Sequence, residues 1–357
     1  MKYWSVLIIL VCLTWSCSKD DTNDAAIYED IPTPLPLKIP LVFQQNLLSP
    51  IVPNNNPQTV EGVALGKKLF FDKILSGDET QSCATCHSPQ HAFSDSSPTS
   101  AGIDGDFGMR NAMPLFNLAW NYGERFNWDG SDLSIERQAL TPVQNPVEMH
   151  SDWDDVVSKL SNHPEYPTLF KNAFGALPIT KTLTTKALAQ FERTLISGNS
   201  KFDKYLLGEA TLTPQEENGL QVFMDEARGD CFHCHGSPNN PLWTDNMFHN
   251  NGLDSNFDDL GLGAFSGDPS DNGKFKSPSI RNLAYTAPFM HDGRFETIDE
   301  VINHYSEGLQ NSSTIDPLMK KINQGGVQLI PQDKADLKAF LLSLSDPSFL
   351  NNPDFNN

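Results

Sequence analysis

Four of the six cysteines form two copies of one short motif, and their chemistry is the easiest to assign. The copies are CATCH at residues 83–87 and CFHCH at residues 231–235. In such a Cys-x-x-Cys-His unit the two thiols can add to the vinyl groups of a haem, and the adjacent histidine can ligate the iron. The sequence therefore predicts two covalently bound haem c groups. Their attachment residues would be Cys83, Cys86, Cys231 and Cys234, and their proximal ligands His87 and His235.

Three other uses of paired cysteines fit the sequence less well. A zinc ribbon also has two Cys-x-x-Cys pairs, but these lie much closer together than residues 83 and 231. A thioredoxin-like redox pair requires a βαβ setting, and neither motif follows an apolar strand run. A disulfide across two residues closes almost no loop, so it would add little stability. Haem attachment is thus the interpretation we adopt.

The N-terminus has the pattern of an export signal. Lys2 precedes an apolar run at residues 6–13, which is too short to span a bilayer but suits the core of a signal peptide. The next cysteine, Cys17, is followed by SKDD, which resembles a lipoprotein signal with Cys17 as the lipidated first mature residue. In the alternative, Cys12 and Cys17 belong to an ordinary signal that is discarded. Both forms predict a periplasmic or cell-envelope protein, and the lipid on Cys17 would be its contact with a membrane.

Length and composition predict two globular domains with appended segments. The chain has 357 residues, of which 38% are apolar, and this is enough for two hydrophobic cores. After a lipoprotein signal at 1–17, residues 18–57 are rich in Pro, Asn and Asp, which predicts a flexible tether. We expect an N-terminal haem domain at 58–200 and a C-terminal haem domain at 201–357.

The elements that must position the haem motifs are mainly helical. Strand signals are sparse, and the loops at residues 88–111 and 236–276 are long enough to wrap a large cofactor. Residues that can cap helices precede four segments: Ser151, Thr180, Thr213 and Thr297. The predicted fold is therefore mainly α, with two cytochrome c-like haem domains and long loops.

The chain is strongly acidic, which limits its partners. Its formal net charge at pH 7 is −20, from 25 Lys and Arg residues against 45 Asp and Glu residues. Repulsion by phosphate disfavours binding to nucleic acid or to an anionic membrane surface. A basic or neutral partner is favoured.

Further motifs accompany the haem sites in a specific order. They are FNWDG at 126–130, ERQA at 136–139, NPVEM at 145–149, FKSPSIRN at 275–282 and APFMHDGR at 287–294. This order resembles the bacterial dihaem cytochrome c peroxidase and MauG family over roughly residues 56–346. The resemblance implies an oxidoreductase of the peroxidase type, with a peroxidatic haem in the N-terminal domain and an electron-transfer haem in the C-terminal domain.

The resemblance also implies roles for three residues outside the haem motifs. Trp128 would lie between the haems and aid electron transfer, Glu148 would be the catalytic glutamate, and Gln138 would lie close to it. A carboxylate held over an open iron position can move a proton from one peroxide oxygen to the other, first as a base and then as an acid. Each residue has an ordinary explanation when taken alone, and it is their joint order that favours these roles.

A calcium ion between the domains is a further implication of the resemblance. Its ligands would be Asn111 and the backbone carbonyl groups of Thr286 and Pro288. Calcium prefers such hard oxygen donors. We therefore expect one calcium ion beside the two haems.

The distal ligand of the second haem departs from the best-known peroxidases. Those proteins have a methionine there, whereas this chain has Tyr305, which is similar to MauG-type enzymes. Tyr305 follows Ile298 by seven residues on an apolar stripe, so its ring should point inward. His304 on the adjacent helical face is the competing donor, and a core tyrosine bonded to a buried acceptor is the non-ligating alternative. We predict that Tyr305 ligates the iron.

The first haem has a departure of its own. Many family members keep a loop histidine on this iron until the second haem is reduced, and the aligned residue here is Ile103. Isoleucine has no donor atom, so we predict an open iron position that reacts with peroxide in the fully oxidised protein. His91, on the same loop, is the competing ligand.

Three functions remain compatible with these residues. The first is reduction of hydrogen peroxide to water with electrons from a small donor protein such as a cytochrome c. The second is MauG-type oxidation of a protein or other substrate through high-valent haem, which a phenolate ligand favours over a thioether. The third is a non-catalytic dihaem electron carrier, against which Glu148 and Trp128 argue. The sequence leaves open whether the protein forms a homodimer.

Overall fold

Short helices joined by long irregular segments make up the chain, as the capping residues and polar loops predict. The computed structural model describes residues 32–175 and 178–356, so the predicted signal at 1–17 and the first part of the predicted tether, 18–31, lie outside the described residues. No helix in the described ranges is long and apolar enough to cross a membrane. The α-helices are α1 (Leu41–Asn46), α2 (Val60–Phe71), α3 (Cys83–Cys86), α4 (Ile135–Gln138), α5 (Thr141–Gln144), α6 (Trp153–Asn162), α7 (Tyr166–Phe174), α8 (Lys181–Glu192), α9 (Lys201–Leu206), α10 (Pro214–Met224), α11 (Phe232–His235), α12 (Leu262–Ser266), α13 (Ile298–Asn303), α14 (Pro331–Ser343) and α15 (Pro347–Leu350).

The strands of the described residues form one small antiparallel sheet. β1 (Phe248–His249) pairs with β2 (Phe275–Lys276), and Phe248 lies opposite Lys276. The sheet ties together two distant parts of the long loop that follows the second haem motif. The prediction of a mainly helical chain is confirmed.

Most predicted capping residues begin a helix. Thr180, Thr213 and Thr297 each accept a hydrogen bond from a backbone N–H in the first turn of α8, α10 and α13. The exception is α6, where Asp152 is the cap and the prediction of Ser151 was wrong. The Asp152 carboxylate lies one residue nearer to the first turn, so it reaches the free N–H groups there.

Two crossed helix pairs lie at the centres of two hydrophobic clusters. In the first cluster α2 packs on α8, and in the second α10 packs on α14. A Cβ on Gly66 of α2 would lie 1.9 Å from the Ala187 carbonyl oxygen, and one on Gly219 of α10 would lie 2.0 Å from that of Asp336. Glycine therefore allows each close crossing. Each haem motif follows a helix that is fixed in this way.

The two clusters separate along most of the chain. Apart from two C-terminal residues, the buried residues of the first cluster end at Leu195, and those of the second begin at Phe202. The two C-terminal residues are Phe349 and Phe355, which pack in the first cluster. The described residues accordingly form one compact unit.

Residues 32–57 are part of this unit and contain buried side chains, which differs from the flexible tether predicted for them. Val42 and Phe43 in α1 are fully buried, and the rings of Phe43 and Trp120 meet edge to face with 5.1 Å between their centroids. Burial of these side chains offsets the entropy of ordering a segment rich in proline and asparagine. This contact could not be predicted from the local sequence pattern, because Trp120 lies far from Phe43 along the chain.

Candidate active site and haem pockets

Both haem motifs open onto a cavity. Cys83 and Cys86 line a cavity of about 540 Å³, called cavity 1 below. Cys231 and Cys234 line a cavity of about 210 Å³, called cavity 2. All four motif cysteines are free thiols and can therefore react with a haem.

The motif histidines each turn one ring nitrogen to the backbone. His87 Nδ1 lies 3.0 Å from the Phe93 carbonyl oxygen, and His235 Nδ1 lies 3.2 Å from that of Pro278. A carbonyl oxygen only accepts, so Nδ1 carries the proton and Nε2 keeps its lone pair. Burial lowers the pKa of both imidazoles, that of His235 to about 4, so both rings are neutral near pH 7. Neutral imidazole is the form that binds a metal.

These features fit a covalently attached haem in each cavity. Each cavity brings together two thiols and a neutral imidazole with a free Nε2, which is the donor set of haem c attachment. Apolar side chains complete both linings and suit a porphyrin ring. They include Leu115, Leu118 and Ile135 in cavity 1, and Ile298, Ile302 and Leu337 in cavity 2.

Trp128 lines both cavities and so lies between the two haem sites. Its side chain is buried, and its Nε1 donates to the Asn111 carbonyl oxygen at 2.8 Å. This hydrogen bond fixes the indole ring at the junction of the cavities. The role of Trp128 in electron transfer stays a prediction.

Glu148 and Gln138 line cavity 1 together with His87. Asn145 holds the glutamate, because its Nδ2 donates to Glu148 Oε1 at 2.6 Å. Burial raises the pKa of the Glu148 carboxyl, and the hydrogen bond from Asn145 opposes this shift. A carboxyl group whose pKa moves toward neutrality can both take and return a proton.

The competing ligand predicted for the first iron, His91, lies outside the lining of cavity 1. Among the described residues, His87 is the only histidine that lines cavity 1, and neither Ile103 nor His91 is part of this lining. The Ile103 side chain turns toward Gly77, and its backbone N–H donates to the Glu148 carbonyl oxygen at 2.9 Å. The loop therefore presents Ser100, Ala101 and Gly102 to the cavity, none of which has an imidazole.

Tyr305 lines cavity 2 with His235, whereas His304 is not part of this lining. His304 is buried to one side, with its Nε2 3.3 Å from the Asn251 carbonyl oxygen. The two residues begin a π-helical turn, His304–Gly308, that continues α13. Such a turn rotates the following side chains relative to an α-helix, and it accompanies the separation of the tyrosine from the histidine.

Asn251 connects two side chains of cavity 2. Its Nδ2 donates to the Tyr305 hydroxyl oxygen at 3.1 Å and lies 3.6 Å from Met290 Sδ. Burial raises the pKa of Tyr305 to about 12, and the hydrogen bond from Asn251 opposes this shift by favouring the phenolate. Tyr305 and Met290 thus both line cavity 2, and of these two only Tyr305 was predicted to be an iron ligand.

The residues predicted for calcium lie in buried parts of the chain. Asn111, Thr286 and Pro288 are buried, and the Asn111 backbone N–H donates to the His291 carbonyl oxygen at 2.7 Å. Among the described residues, no hydrogen bond reaches the carbonyl oxygens of Thr286 and Pro288. The same ranges contain no cluster of three His, Cys, Asp or Glu side chains that could hold a metal, so any calcium here depends on amide and carbonyl oxygens.

Three residues of the cavities were not found from the sequence. Glu192 is buried in the lining of cavity 1, where burial raises its pKa to about 8. Asn251 contacts Tyr305 in cavity 2, and Lys276 lines both cavities. The only available signal was for Lys276, which belongs to the FKSPSIRN motif.

Comparison with known proteins finds relatives over most of the chain. The family model of di-haem cytochrome c peroxidases matches residues 60–211. The methylamine utilization protein MauG of Methylorubrum extorquens is 39% identical over 313 residues, which cover 84% of this chain and 83% of that protein. The cytochrome-c peroxidase IdrP1 of Pseudomonas sp. strain SCT is 33% identical over 85% of this chain and 86% of that protein.

A solved structure agrees with these relatives. A MauG-like protein associated with microbial copper homeostasis has a TM-score of 0.81 and 34% sequence identity, and the match covers 90% of this chain and 99% of that one. Fold and sequence therefore lead to the same group of two-haem c-type cytochromes. The chain belongs to the di-haem cytochrome c peroxidase family, which includes MauG and is a family of oxidoreductases.

Proposed function

We propose that the protein reduces hydrogen peroxide to water in cavity 1, with electrons that arrive through cavity 2 and Trp128. One observation carries this proposal: Glu148 and His87 line one cavity, and Trp128 lines both that cavity and the next. The balanced reaction is H2O2 + 2 e− + 2 H+ → 2 H2O. A haem attached at Cys83 and Cys86 supplies the iron at which the O–O bond breaks.

Glu148 is the residue that moves the proton. With Oε1 held by Asn145, Oε2 is left for the substrate, and it takes a proton from one peroxide oxygen and returns it to the other. General acid–base transfer of this kind typically contributes about 10²–10⁴-fold to a rate. Gln138 can donate an amide N–H to peroxide in the same cavity and so orient it.

Electrons enter through a C-terminal haem domain. We assign residues 58–200 to a peroxidatic haem domain and residues 201–357 to an electron-transfer haem domain, since each has its own crossed helix pair and haem motif. His235 and Tyr305 would hold the iron of the second haem, since both side chains line cavity 2. The net charge of −20 favours a donor with a neutral or basic docking surface, such as a small cytochrome c.

Calcium would stabilise the segment that joins the two cavities. Asn111 accepts the Trp128 hydrogen bond on its backbone oxygen, so an ion held by Asn111, Thr286 and Pro288 would fix the position of the indole. The free carbonyl oxygens of Thr286 and Pro288 support this assignment. The site belongs to the proposal together with the haems.

The location of the protein follows from its N-terminal pattern and its cofactor. We place it in the periplasm or cell envelope, tethered through a lipid on Cys17, where haem c attachment takes place. The membrane contact is this lipid alone, and nucleic acid is not a partner of a chain with this charge. A homodimer is compatible with this arrangement.

MauG-type oxidation of a large substrate is the second candidate. It is favoured by Tyr305 in cavity 2, because a phenolate stabilises higher oxidation states of iron than a thioether does. The two functions share Glu148 and both haems, and they differ in whether the electrons come from a donor protein or from a substrate that is itself oxidised.

Steady-state turnover distinguishes the two functions. The purified dihaem protein is mixed with hydrogen peroxide and a reduced basic c-type cytochrome, and cytochrome oxidation is followed optically. We expect two cytochromes to be oxidised per peroxide. Peroxide consumption that requires no reduced cytochrome but oxidises an added protein would favour the second candidate, and failure to consume peroxide in either assay would exclude both.

A further inference from the structure

Lys276 occupies an unusual position for a lysine. It lies on β2, its side chain is 7% exposed, and it lines both cavity 1 and cavity 2. Trp128 is the other described residue that lines both. Their backbones are joined, because the Lys276 N–H donates to the Trp128 carbonyl oxygen at 2.8 Å. The ammonium group is thus built into the junction of the two haem sites.

Among the described residues, the ammonium group of Lys276 has one hydrogen bond and forms no salt bridge. Its Nζ donates to the Arg125 carbonyl oxygen at 2.7 Å and lies 5.5 Å from the centroid of the Phe126 ring. An ammonium has three donors, so two remain. Asp245 is close enough to act on Lys276, but it already binds His249 Nε2 at 2.8 Å. Burial lowers the pKa of Lys276 to about 7, because the charge of Asp245 offsets only part of the cost of burying the ammonium.

Two other cationic side chains that line the cavities are paired with carboxylates of the protein. Arg110 lines cavity 1 and binds Asp129 and Asp259 at 2.6 and 2.7 Å. His249 lines cavity 2 and lies between Asp245 and Asp316. Pairing with an anion stabilises a buried ammonium in its charged form. An anionic group that fills the cavities would supply such a partner to Lys276.

We propose that Lys276 pairs with a propionate carboxylate of the haem in cavity 1 and thereby anchors that haem at the junction with cavity 2. Haem carries two propionates, and each is an anion that two free N–H donors of an ammonium can bind. Cavity 1 is the site because Nζ lies over the Phe126 ring, which lines cavity 1. This inference rests on haem binding in that cavity, which is part of the proposed function.

The pair affects the first haem through its charge. A positive charge beside the haem carboxylate favours the reduced form, which carries one positive charge less than the oxidised form. Loss of the charge should therefore lower the reduction potential of the first haem. The second haem lies on the other side of Trp128 and should shift less.

Four variants separate the charge of Lys276 from its hydrogen bond. Lys276→Gln can still donate to the Arg125 carbonyl oxygen but has no charge, and Lys276→Met is a second uncharged variant that keeps the long stem. Lys276→Arg keeps the charge. Lys274→Gln is the matched control, because Lys274 lies on the same segment, binds Asp271 at 2.9 Å and lines neither cavity.

The measurements are potentiometric titration of each haem and resonance Raman spectra of the propionate bending modes. We expect Lys276→Gln and Lys276→Met to lower the potential of the first haem and shift its propionate modes. Lys276→Arg and Lys274→Gln should match the wild type. The inference is overturned if either uncharged variant matches the Lys274→Gln control. Pyridine haemochrome analysis of the wild type is independent of this result, and absence of haem there would instead contradict the proposed function.

Discussion

Cavity 1 and cavity 2 hold their motif histidines in the same way but differ on the opposite side. In both, the helix before the haem motif packs on another helix with a glycine at the contact, and Nδ1 of the histidine donates to a backbone carbonyl. Besides His87, cavity 1 has Glu148, a carboxyl group suited to proton transfer. Besides His235, cavity 2 has Tyr305, whose phenol could serve as an iron ligand.

We infer from this difference that the structure around the motif histidine binds the cofactor and that the other polar lining residues decide its task. In the proposed function, cavity 1, with a carboxyl group and no second histidine among its described lining residues, would receive the substrate, whereas cavity 2, with a phenol, would pass on electrons. Trp128 and Lys276 line both cavities and would couple these two tasks.

Removal of one haem attachment site at a time should have the largest effect, because it tests directly whether the two cavities have different functions. We expect two covalent haems in the wild type and one in each of the double variants Cys83→Ser/Cys86→Ser and Cys231→Ser/Cys234→Ser. The cavity 1 variant should lose all peroxide turnover, and the cavity 2 variant should lose turnover with a donor but keep a spectral response to peroxide. Pyridine haemochrome analysis gives the haem count, and a wild type with one haem or none would refute the interpretation.

Glu148→Gln tests the catalytic side of the comparison. The variant keeps a polar side chain beside Asn145 but cannot move a proton, so kcat/KM for peroxide should fall about 10²–10⁴-fold while both haems remain bound. Since burial raises the pKa of Glu148 and the ionised form is the base, wild-type activity should fall at acid pH through a pKa above the usual glutamate value. The activity of the Glu148→Gln variant should not show this fall at acid pH.

Glu209→Gln is the control for that variant, because Glu209 is exposed and carries the same charge. Its kcat/KM should equal that of the wild type. Near-normal turnover in Glu148→Gln would remove Glu148 from the mechanism.

Tyr305→Phe tests the electron-transfer side and should have a smaller effect on turnover. Loss of the phenol oxygen opens the second iron, which should change its absorption and electron paramagnetic resonance spectra and leave peroxide binding in cavity 1 intact. His304→Gln is the comparison, since His304 does not line the cavity and its replacement should leave the spectra unchanged. An unchanged spectrum in Tyr305→Phe would assign the ligand to another donor, for which Met290 is now a candidate.

The sequence predicted those parts of the molecule that depend on neighbours along the chain. The Cys-x-x-Cys-His units are contiguous, and the helix caps at Thr180, Thr213 and Thr297 act within one turn, so local patterns were sufficient. The order of motifs was enough to bring Trp128 and Glu148 into consideration, and the structure places both in cavity 1.

The remaining features depend on contacts between distant residues. The packing of Phe43 on Trp120 joins the N-terminal segment to a loop, so composition alone gave a flexible tether. Lys276 is buried because β2 pairs with β1 and joins the Trp128 segment, which no local pattern reveals. The separation of Tyr305 from His304 accompanies a π-helical turn, and α-helical spacing could not distinguish the two residues.

The last prediction concerns the ligation state of the first haem in the fully oxidised protein, and it involves the smallest expected effect. In cavity 1 no described histidine other than His87 contributes to the lining, and the sequence resemblance aligns Ile103, which has no donor atom, with the predicted loop ligand. We therefore expect the first haem to be five-coordinate or weakly bound to water, and to react with peroxide before any electron is added. Prior reduction of the second haem should then change the rate of this first reaction by less than about tenfold, a difference of roughly 1.4 kcal/mol in the barrier.

Rapid mixing of oxidised and half-reduced protein with peroxide measures both rates, and electron paramagnetic resonance reports the resting spin state. A low-spin first haem that stays inert until one electron is added would contradict the prediction, and it would assign the ligand to His91 if His91→Ala then restored a high-spin, peroxide-reactive iron.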